Sequence, residues 1–365
     1  MAAKVADSGK TMLAAYVTEW LEIGTVPDKV SFGNVPAPES PQKNQVLIDV
    51  KAASINVSDI ALLQDTGAGG WCYHTRKPTV AAPLVGGQDY AGIVSKVGPD
   101  CKRLKVGDRV CGVIKVMEYQ TGTWAEQTIA LEHEVCLIND ANMSYVEAAA
   151  ASMGAFVNGD MMKRAQSKLS AAGCRCLVVG ASGALGTLML QMLRKHNAHV
   201  TAVCSTDNIE MVKKMGAAEA VDYKSKPFCE QLVDKEKFDV VFDFVGGKNV
   251  ETQSAKLLTK GGLFVTAVGD REHNTDKKLS CCEFTSSFCK VCRHSCCGCC
   301  GPYKWIMSQG YPPLTEEIWK PVIEAGARAH LAEEVPFAEA PLRKAMTRVA
   351  SHHSGGRVVI NLESR

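Results

Sequence analysis

Three glycines, Gly180, Gly183 and Gly186, separate a strand-like run, Cys176-Leu177-Val178-Val179, from an apolar helix-like run, Leu185 to Leu193. A turn without Cβ atoms lets backbone N–H groups reach phosphate oxygens, and the helix that follows aims its partially positive end at the same charge. A second strand-like run, His199 to Val203, closes the unit within about 30 residues. Three glycines alone would also suit a tight turn in any α/β protein. The strand before and the helix after them favour a nucleotide pyrophosphate, cradled by Gly180, Ser182, Gly183, Ala184, Leu185 and Gly186.

The residues after the second strand bear on which nucleotide. A site for NAD sets an acid at the end of that strand to hold the ribose 2′-OH. Here Cys204-Ser205-Thr206 follows Val203, and Asp207 beyond them reads as a helix-start residue. Ser205 beside backbone amides suits a 2′-phosphate, which makes NADPH the expected cofactor. Lys213 and Lys224 read either as neutralisers of that phosphate or as solvated lysines. The nicotinamide end then falls at Val245-Gly246 and Val268-Gly269, loops at the carboxyl ends of parallel strands.

The elements that position these residues show in two patterns. Up to about residue 150 the chain reads as short strands parted by Gly, Pro and Asp, at Gln45–Val50, Ala91–Val97, Asp108–Val113 and Glu126–Leu131. That predicts an antiparallel, barrel-like region. From an alanine-rich helix, Val146 to Ala155, strands and helices alternate through Val200–Val203, Ile209–Met215, Val221, Asp239–Phe242 and Leu263–Ala267, the mark of a parallel doubly wound sheet. Helices are predicted at Glu316–Ala325 and Ala338–Ala350, with β character at Glu334–Phe337 and a closing strand at Val358-Val359-Ile360. The chain is expected to return there to its first domain, giving one domain from 1–152 and 333–365 and a nucleotide domain from 153–332.

The 365 residues suffice for about two cored domains. Forty-one basic against thirty-nine acidic side chains leave a formal charge of +2, which argues against a nucleic-acid partner. No apolar run approaches the roughly 20 residues of a membrane span. The amino terminus lacks an apolar signal core and the first arginine is Arg76, so a soluble, cytoplasmic protein is expected, with organelle or membrane association left open.

Several ordered motifs carry a resemblance over nearly the whole chain. They are Pro83, Gly87, Asp89, Gly92, Val94, Val97-Gly98, Val106-Gly107-Asp108-Arg109-Val110, Gly122-Thr123-Trp124-Ala125-Glu126 and the glycine turn. Together they resemble the medium-chain dehydrogenase/reductase family. Ala198 to Ser205, Gly216-Ala217, Val221 to Lys224, Asp243 with Val245-Gly246-Gly247, and Gly356 to Ile360 are most similar to its zinc-free quinone-oxidoreductase branch, of the reticulon-interacting-protein type. The resemblance implies an α/β protein with a GroES-like β-barrel packed on a Rossmann domain, an active site in the cleft between them, and a homodimer. It also adds Asn208 and Tyr223 to the 2′-phosphate pocket. The family often has a threonine and a proline where this chain has Val157 and Ser152, so a hydrogen bond to the cofactor is expected to be missing.

Zinc members of the family use a Cys, a His-Glu pair and a further Cys, because Zn²⁺ prefers N and S ligands. The matching positions here hold Asn56 and Gln88-Asp89, and of the closely spaced cysteines of a structural zinc lobe only Cys101 and Cys111 occur in that stretch. No zinc is expected. Without a Lewis acid the natural acceptors are quinones and α,β-unsaturated carbonyls, which delocalise the incoming electron pair themselves. Asn56 matches the asparagine near the cleft of zinc-free relatives. Asp59 follows as their acidic partner, or else as a turn or cap residue. Ala61 replaces a tyrosine that some quinone reductases carry, leaving Tyr73 as the candidate donor, with Trp71 and His74 in the same glycine-rich loop; each of the three reads also as a surface or packing residue.

Sixteen cysteines is a high count, and eight of them crowd between Cys281 and Cys300. Without a signal sequence a disulfide framework is not expected. Cys289 and Cys292 have a zinc-like spacing that the later pairs do not continue. Free thiols, metal binding, regulatory oxidation and acylation with peripheral membrane contact all remain open for this insert. The alternative to an enzyme is a catalytically weak NADPH-binding sensor or interaction protein that uses the insert.

Overall fold

The computed structural model describes residues 9–64, 77–114, 121–269, 303–308 and 314–364. In chain order the amino-terminal elements are β1 (Thr11–Val17), α1 (Val26–Lys29), β2 (Ser31–Pro36), β3 (Gln45–Ile55), α2 (Val57–Leu62), β4 (Leu84–Val85), β5 (Asp89–Val97), β6 (Arg109–Val113), β7 (Gln127–Leu131) and β8 (Val135–Leu137). β3 is the spine. It runs antiparallel to β5 and β7, and its register against β5 shifts twice, between Leu47 and Ile48 and between Val50 and Ala52. Such irregularities bend a strand and let a sheet curl towards closure. A second sheet, β2–β1–β4, completes the barrel-like region.

Trp124 locks this region at its centre. Its ring is fully buried, and a Cβ on Gly86 would stand 2.4 Å from it, so only glycine leaves room. The indole N–H donates to the Ser54 carbonyl at 2.9 Å, which gives the buried polar atom a partner. Gly87 of the sequence motif packs as closely, since a Cβ there would stand 2.4 Å from the same ring.

Ser144 caps α3 (Tyr145–Leu169), its hydroxyl accepting from the Glu147 amide while Glu147 reaches back to the Ser144 amide. The helix extends well beyond the predicted Val146–Ala155, because Met161, Met162, Ala165 and Leu169 continue its buried stripe and Asp160 finds partners in Arg164 and Ser308. Ala148 to Ala151 are buried, and these short side chains let α3 press against β3, β5 and β6 on one side and the second domain on the other.

The second domain holds β9 (Arg175–Val179), α4 (Gly186–Leu193), β10 (His199–Cys204), α5 (Ile209–Lys214), β11 (Glu219–Asp222), α6 (Phe228–Gln231), β12 (Phe238–Asp243), α7 (Lys248–Leu257), β13 (Leu258–Thr266) and β14 (Tyr303–Met307). Its strands are all parallel in the order β11–β10–β9–β12–β13–β14. The direction of winding reverses between β9 and β12, where such sheets bind ligands at their carboxyl ends. After α8 (Glu316–Glu324), β15 (Leu331–Pro336), α9 (Glu339–Ala350) and β16 (Arg357–Asn361) bring the chain back: β16 pairs antiparallel with β3. Among the described residues no helix is long and apolar enough to cross a membrane, and the seven described cysteines are free thiols. Trp71, Tyr73, His74 and the insert from Cys281 to Cys300 lie outside the described residues.

Candidate active site

Gly180 follows β9 directly and takes φ +77°, which turns the chain sharply at the sheet's edge. A Cβ on Gly186 would fall 2.3 Å from the Gly180 carbonyl oxygen, so the first turn of α4 can sit against the end of β9 only as glycine. Gly183 is different. A Cβ there would meet nothing closer than the Gly180 oxygen at 3.3 Å, so its bare side faces outward, where a ligand backbone would come near. The turn is held by Ala181 N–H to the Val203 carbonyl at 3.1 Å, Gly183 N–H to Gly180 at 3.1 Å and the Asn158 amide to the Leu185 carbonyl at 3.0 Å. Ser182, Ala184 and Leu185 are half-buried along its rim. A glycine cradle opening onto the N-terminus of an eight-residue helix fits a pyrophosphate.

At the neighbouring strand ends Ser205, Asn208 and Tyr223 come together. The Asn208 side-chain N–H donates to Ser205 Oγ at 3.0 Å, leaving the serine proton to donate outward, and Tyr223 N–H bonds the Cys204 carbonyl at 3.1 Å. An acid stands here after all, contributed by the adjacent strand: Asp222, at the end of β11, accepts from the Thr206 hydroxyl and from the Lys224 amide. These donors hold its carboxyl below the usual range. Lys213 pairs with Glu210 at 3.6 Å on an exposed helix face. Lys224 lies next to the exposed Tyr223 ring.

At the other end of the site, Val245 rests against the glycine turn, its Cγ2 3.0 Å from where a Cβ on Gly180 would be. Val268 and Gly269 lie in the neighbouring loop, which Gly247 N–H joins through the Gly269 carbonyl at 3.1 Å. Ser152 directs its hydroxyl to its own helix, at the Ala148 carbonyl 2.8 Å away, while Val157 is half-buried. The contact from α3 to the turn is made instead by Asn158, one residue beyond the departure noted in the sequence.

Asn56 and Asp59 sit in the barrel, at the start of α2, in a wholly buried polar network. The Asn56 side-chain amide donates to Asp59 at 2.9 Å and to Asp89 at 3.1 Å, while its oxygen accepts from the Arg357 guanidinium. Asp59 also caps α2 through the Asn56 backbone N–H at 2.7 Å, and Asp89 accepts the Ser54 N–H at 2.7 Å. Ser54 joins the network to α3 through its hydroxyl, 3.1 Å from the Ala149 carbonyl. Burial, aggravated by the neighbouring Asp89 charge, pushes the Asp59 carboxyl well up, and burial also raises Asp89 and lowers Arg357. On the exposed side of the same turn Ser58 Oγ donates to Gln88 at 2.8 Å.

A zinc ion does not fit this arrangement. Both amide hydrogens of Asn56 point at carboxylates, and a guanidinium already faces its oxygen, so the position matching the family's first metal ligand is occupied by an internal ion network. Among the described residues no group of three His, Cys, Asp or Glu is placed to hold a metal. Arg357 and Ser54 were not singled out from the sequence as site residues. The only hint was an arginine opening an otherwise apolar strand, and its partner became visible once the register set Val358 opposite Ile55.

Comparison with known proteins agrees with the two-domain fold. The model of the alcohol dehydrogenase GroES-like domain matches residues 42–140, and that of the zinc-binding dehydrogenase matches residues 184–295. The NAD(P)H oxidoreductase RTN4IP1, mitochondrial, of Bos taurus is 31% identical over 345 residues, 90% of this chain and 84% of that protein. The NADPH-dependent alkenal/one oxidoreductase, chloroplastic, of Arabidopsis thaliana is 34% identical over 243 residues, 65% of this chain and 58% of that protein. The solved quinone oxidoreductase of Coxiella burnetii superposes with a TM-score of 0.75 at 21% identity, covering 97% of this chain and 100% of that one.

Proposed function

Because the chain belongs to the medium-chain dehydrogenase/reductase superfamily, we propose that it is a zinc-independent, NADPH-dependent oxidoreductase acting on a quinone or an α,β-unsaturated carbonyl. The observation that carries the choice of acceptor is the Asn56–Arg357–Asp59–Asp89 network standing where a metal would polarise a carbonyl. NADPH, when bound, supplies the hydride. The protein's part is to cradle the pyrophosphate at Gly180 to Gly186, to hold the 2′-phosphate end at Ser205, Asn208 and Tyr223, and to fix the nicotinamide end at Val245, Val268 and Gly269. An acceptor that spreads the incoming charge over its own conjugated system needs only a hydrogen-bond donor.

NADPH oxidation followed at 340 nm with 1,2- and 1,4-quinones, a simple enone and a saturated ketone tests this reading. Turnover of the first two classes, unchanged by a chelator and absent with the saturated ketone, is expected. Oxidation of NADPH by none of them, or a saturated-ketone activity lost to the chelator, would overturn it.

For the proton we propose Tyr73 as the donor at the substrate oxygen, with Asn56 and Asp59 as the buried support beneath the site. Tyr73→Phe should lower kcat about 100-fold or more at unchanged NADPH affinity, within the usual range for a general acid; wild-type kcat in that variant would remove Tyr73 from the assignment. We also propose a homodimer, since among the described residues β14 ends the parallel sheet and a strand edge is a natural site of twofold pairing. A monomeric mass in sedimentation equilibrium would refute it. A cytoplasmic location, with peripheral membrane contact through Cys281 to Cys300, is the corresponding proposal for the cell. Fractionation that finds the protein inside an organelle would end the first part, and vesicle flotation that recovers none of it would end the second.

A further inference from the structure

Two buried residues at the base of the loops proposed above for the nicotinamide end are joined by a concentration of hydrogen bonds. Asp243 is the last residue of β12 and Thr266 the last of β13, directly paired in the sheet, and both are fully buried. One Asp243 oxygen accepts the N–H of Val245 at 2.9 Å and of Gly246 at 3.0 Å, and the other accepts the Thr266 hydroxyl at 2.8 Å. The Thr266 oxygen in turn accepts the N–H of Val268 at 3.1 Å and of Gly269 at 2.9 Å.

The chemistry of these contacts is one-sided. The carboxylate only accepts, from three donors, which is the pattern of the ionised form. The hydroxyl gives its one proton to the carboxylate and receives two amides, so no other group can replace it without leaving a donor unmatched. Four amides from two loops therefore converge on a single carboxylate–hydroxyl bond. Gly246 and Gly269, at φ +80° and +101°, take backbone shapes that this arrangement needs and that a side chain would strain.

We propose that Asp243 and Thr266 are positioning residues for hydride transfer: their shared bond sets the spacing between the Val245-Gly246 and Val268-Gly269 loops, and with it the placement of the nicotinamide. Each loop satisfies its amides on the residue that ends its own strand, so it is the Thr266–Asp243 bond alone that couples the two side chains. Joining them makes the separation of the loops, which flank the strand ends where the fold binds its ligand, a fixed quantity. Hydride transfer is sensitive to that quantity, since a displacement of about 1 Å can cost on the order of 100-fold in rate.

The inference rests on the proposed activity, and the experiment separates the two. Thr266→Val keeps the shape of the side chain and removes the hydroxyl, Thr266→Ser keeps the hydroxyl, and Asp243→Asn puts a donor where the hydroxyl needs an acceptor. For Thr266→Val and Asp243→Asn, kcat should fall about 10- to 100-fold while the NADPH dissociation constant, read from the fluorescence of the bound nucleotide, changes less than about threefold. The deuterium isotope effect with NADPH labelled at C4 should rise, and Thr266→Ser should restore most of kcat. Wild-type kcat and isotope effect in Thr266→Val and Asp243→Asn, or a fall that tracks only the folded fraction in thermal melting, would overturn the proposal, as would failure of Thr266→Ser. If the wild type turns over no acceptor, the proposed activity fails by itself. The positioning role is then read from the emission of bound NADPH, which should shift in both disruptive variants; an unchanged spectrum would refute it.

Discussion

Asp59 shows how two readings of one residue can hold together. It caps α2, and it is one of two carboxyls that share the Asn56 amide and face a single guanidinium. Two negative charges against one positive, all out of water, favour retaining a proton. Because burial raises the Asp59 carboxyl above its unfolded value, the folded protein holds that proton more tightly than the unfolded chain. This contribution favours folding below the unfolded value, near 4, and is lost as pH rises through the folded value. Asp59→Asn keeps an acceptor for the Asn56 backbone N–H and cannot ionise. It should melt above the wild type at pH 8, with the gap shrinking towards pH 5; an equal gap at both pH values would show that Asp59 does not titrate as described.

At the scale of elements, the glycine turn and the strand ends separate folding from binding. Gly186→Ala drives a Cβ into backbone at 2.3 Å and should cost about 3 kcal/mol in urea unfolding. Gly183→Ala meets only one oxygen at 3.3 Å and should cost less than about 1 kcal/mol, yet weaken NADPH about tenfold by crowding the cradle. Equal losses of stability in the two variants would contradict this division. Lys224 follows Tyr223 in the turn shaped by Asp222, and we propose it as the cation that faces the 2′-phosphate. Lys224→Ala should therefore reduce the preference for NADPH over NADH about tenfold without affecting NADH, as competition assays with both nucleotides would show. A preserved preference would return Lys224 to the class of solvated lysines.

The whole molecule is joined by α3 and by Arg328, whose guanidinium reaches Asp140 at 2.5 Å and Glu147 at 3.6 Å while its backbone exchanges bonds with Gln191 of α4. Bonding to the Asn142 amide and to Arg328 lowers the Asp140 carboxyl, so this pair favours folding above the unfolded value and loses its effect as pH falls through the folded one. Arg328→Ala should melt below the wild type at pH 7, with the difference closing in acid; a constant difference would mean that the arginine acts through packing alone. The sequence by itself determined the two domain types, the alternation of strand and helix, the glycine cradle and the nucleotide it suits, because these depend on local spacing within a few residues. It did not reveal β1, β2 or α7, whose apolar patterns are short, nor the full length of α3. Only the tertiary structure brought Arg357 to Asn56, Asp222 to Thr206 and Asp243 to Thr266. Each pair joins residues from different elements, and whether a buried carboxylate is a metal neighbour, a cap or a clamp is decided by the strand register that chooses its partner.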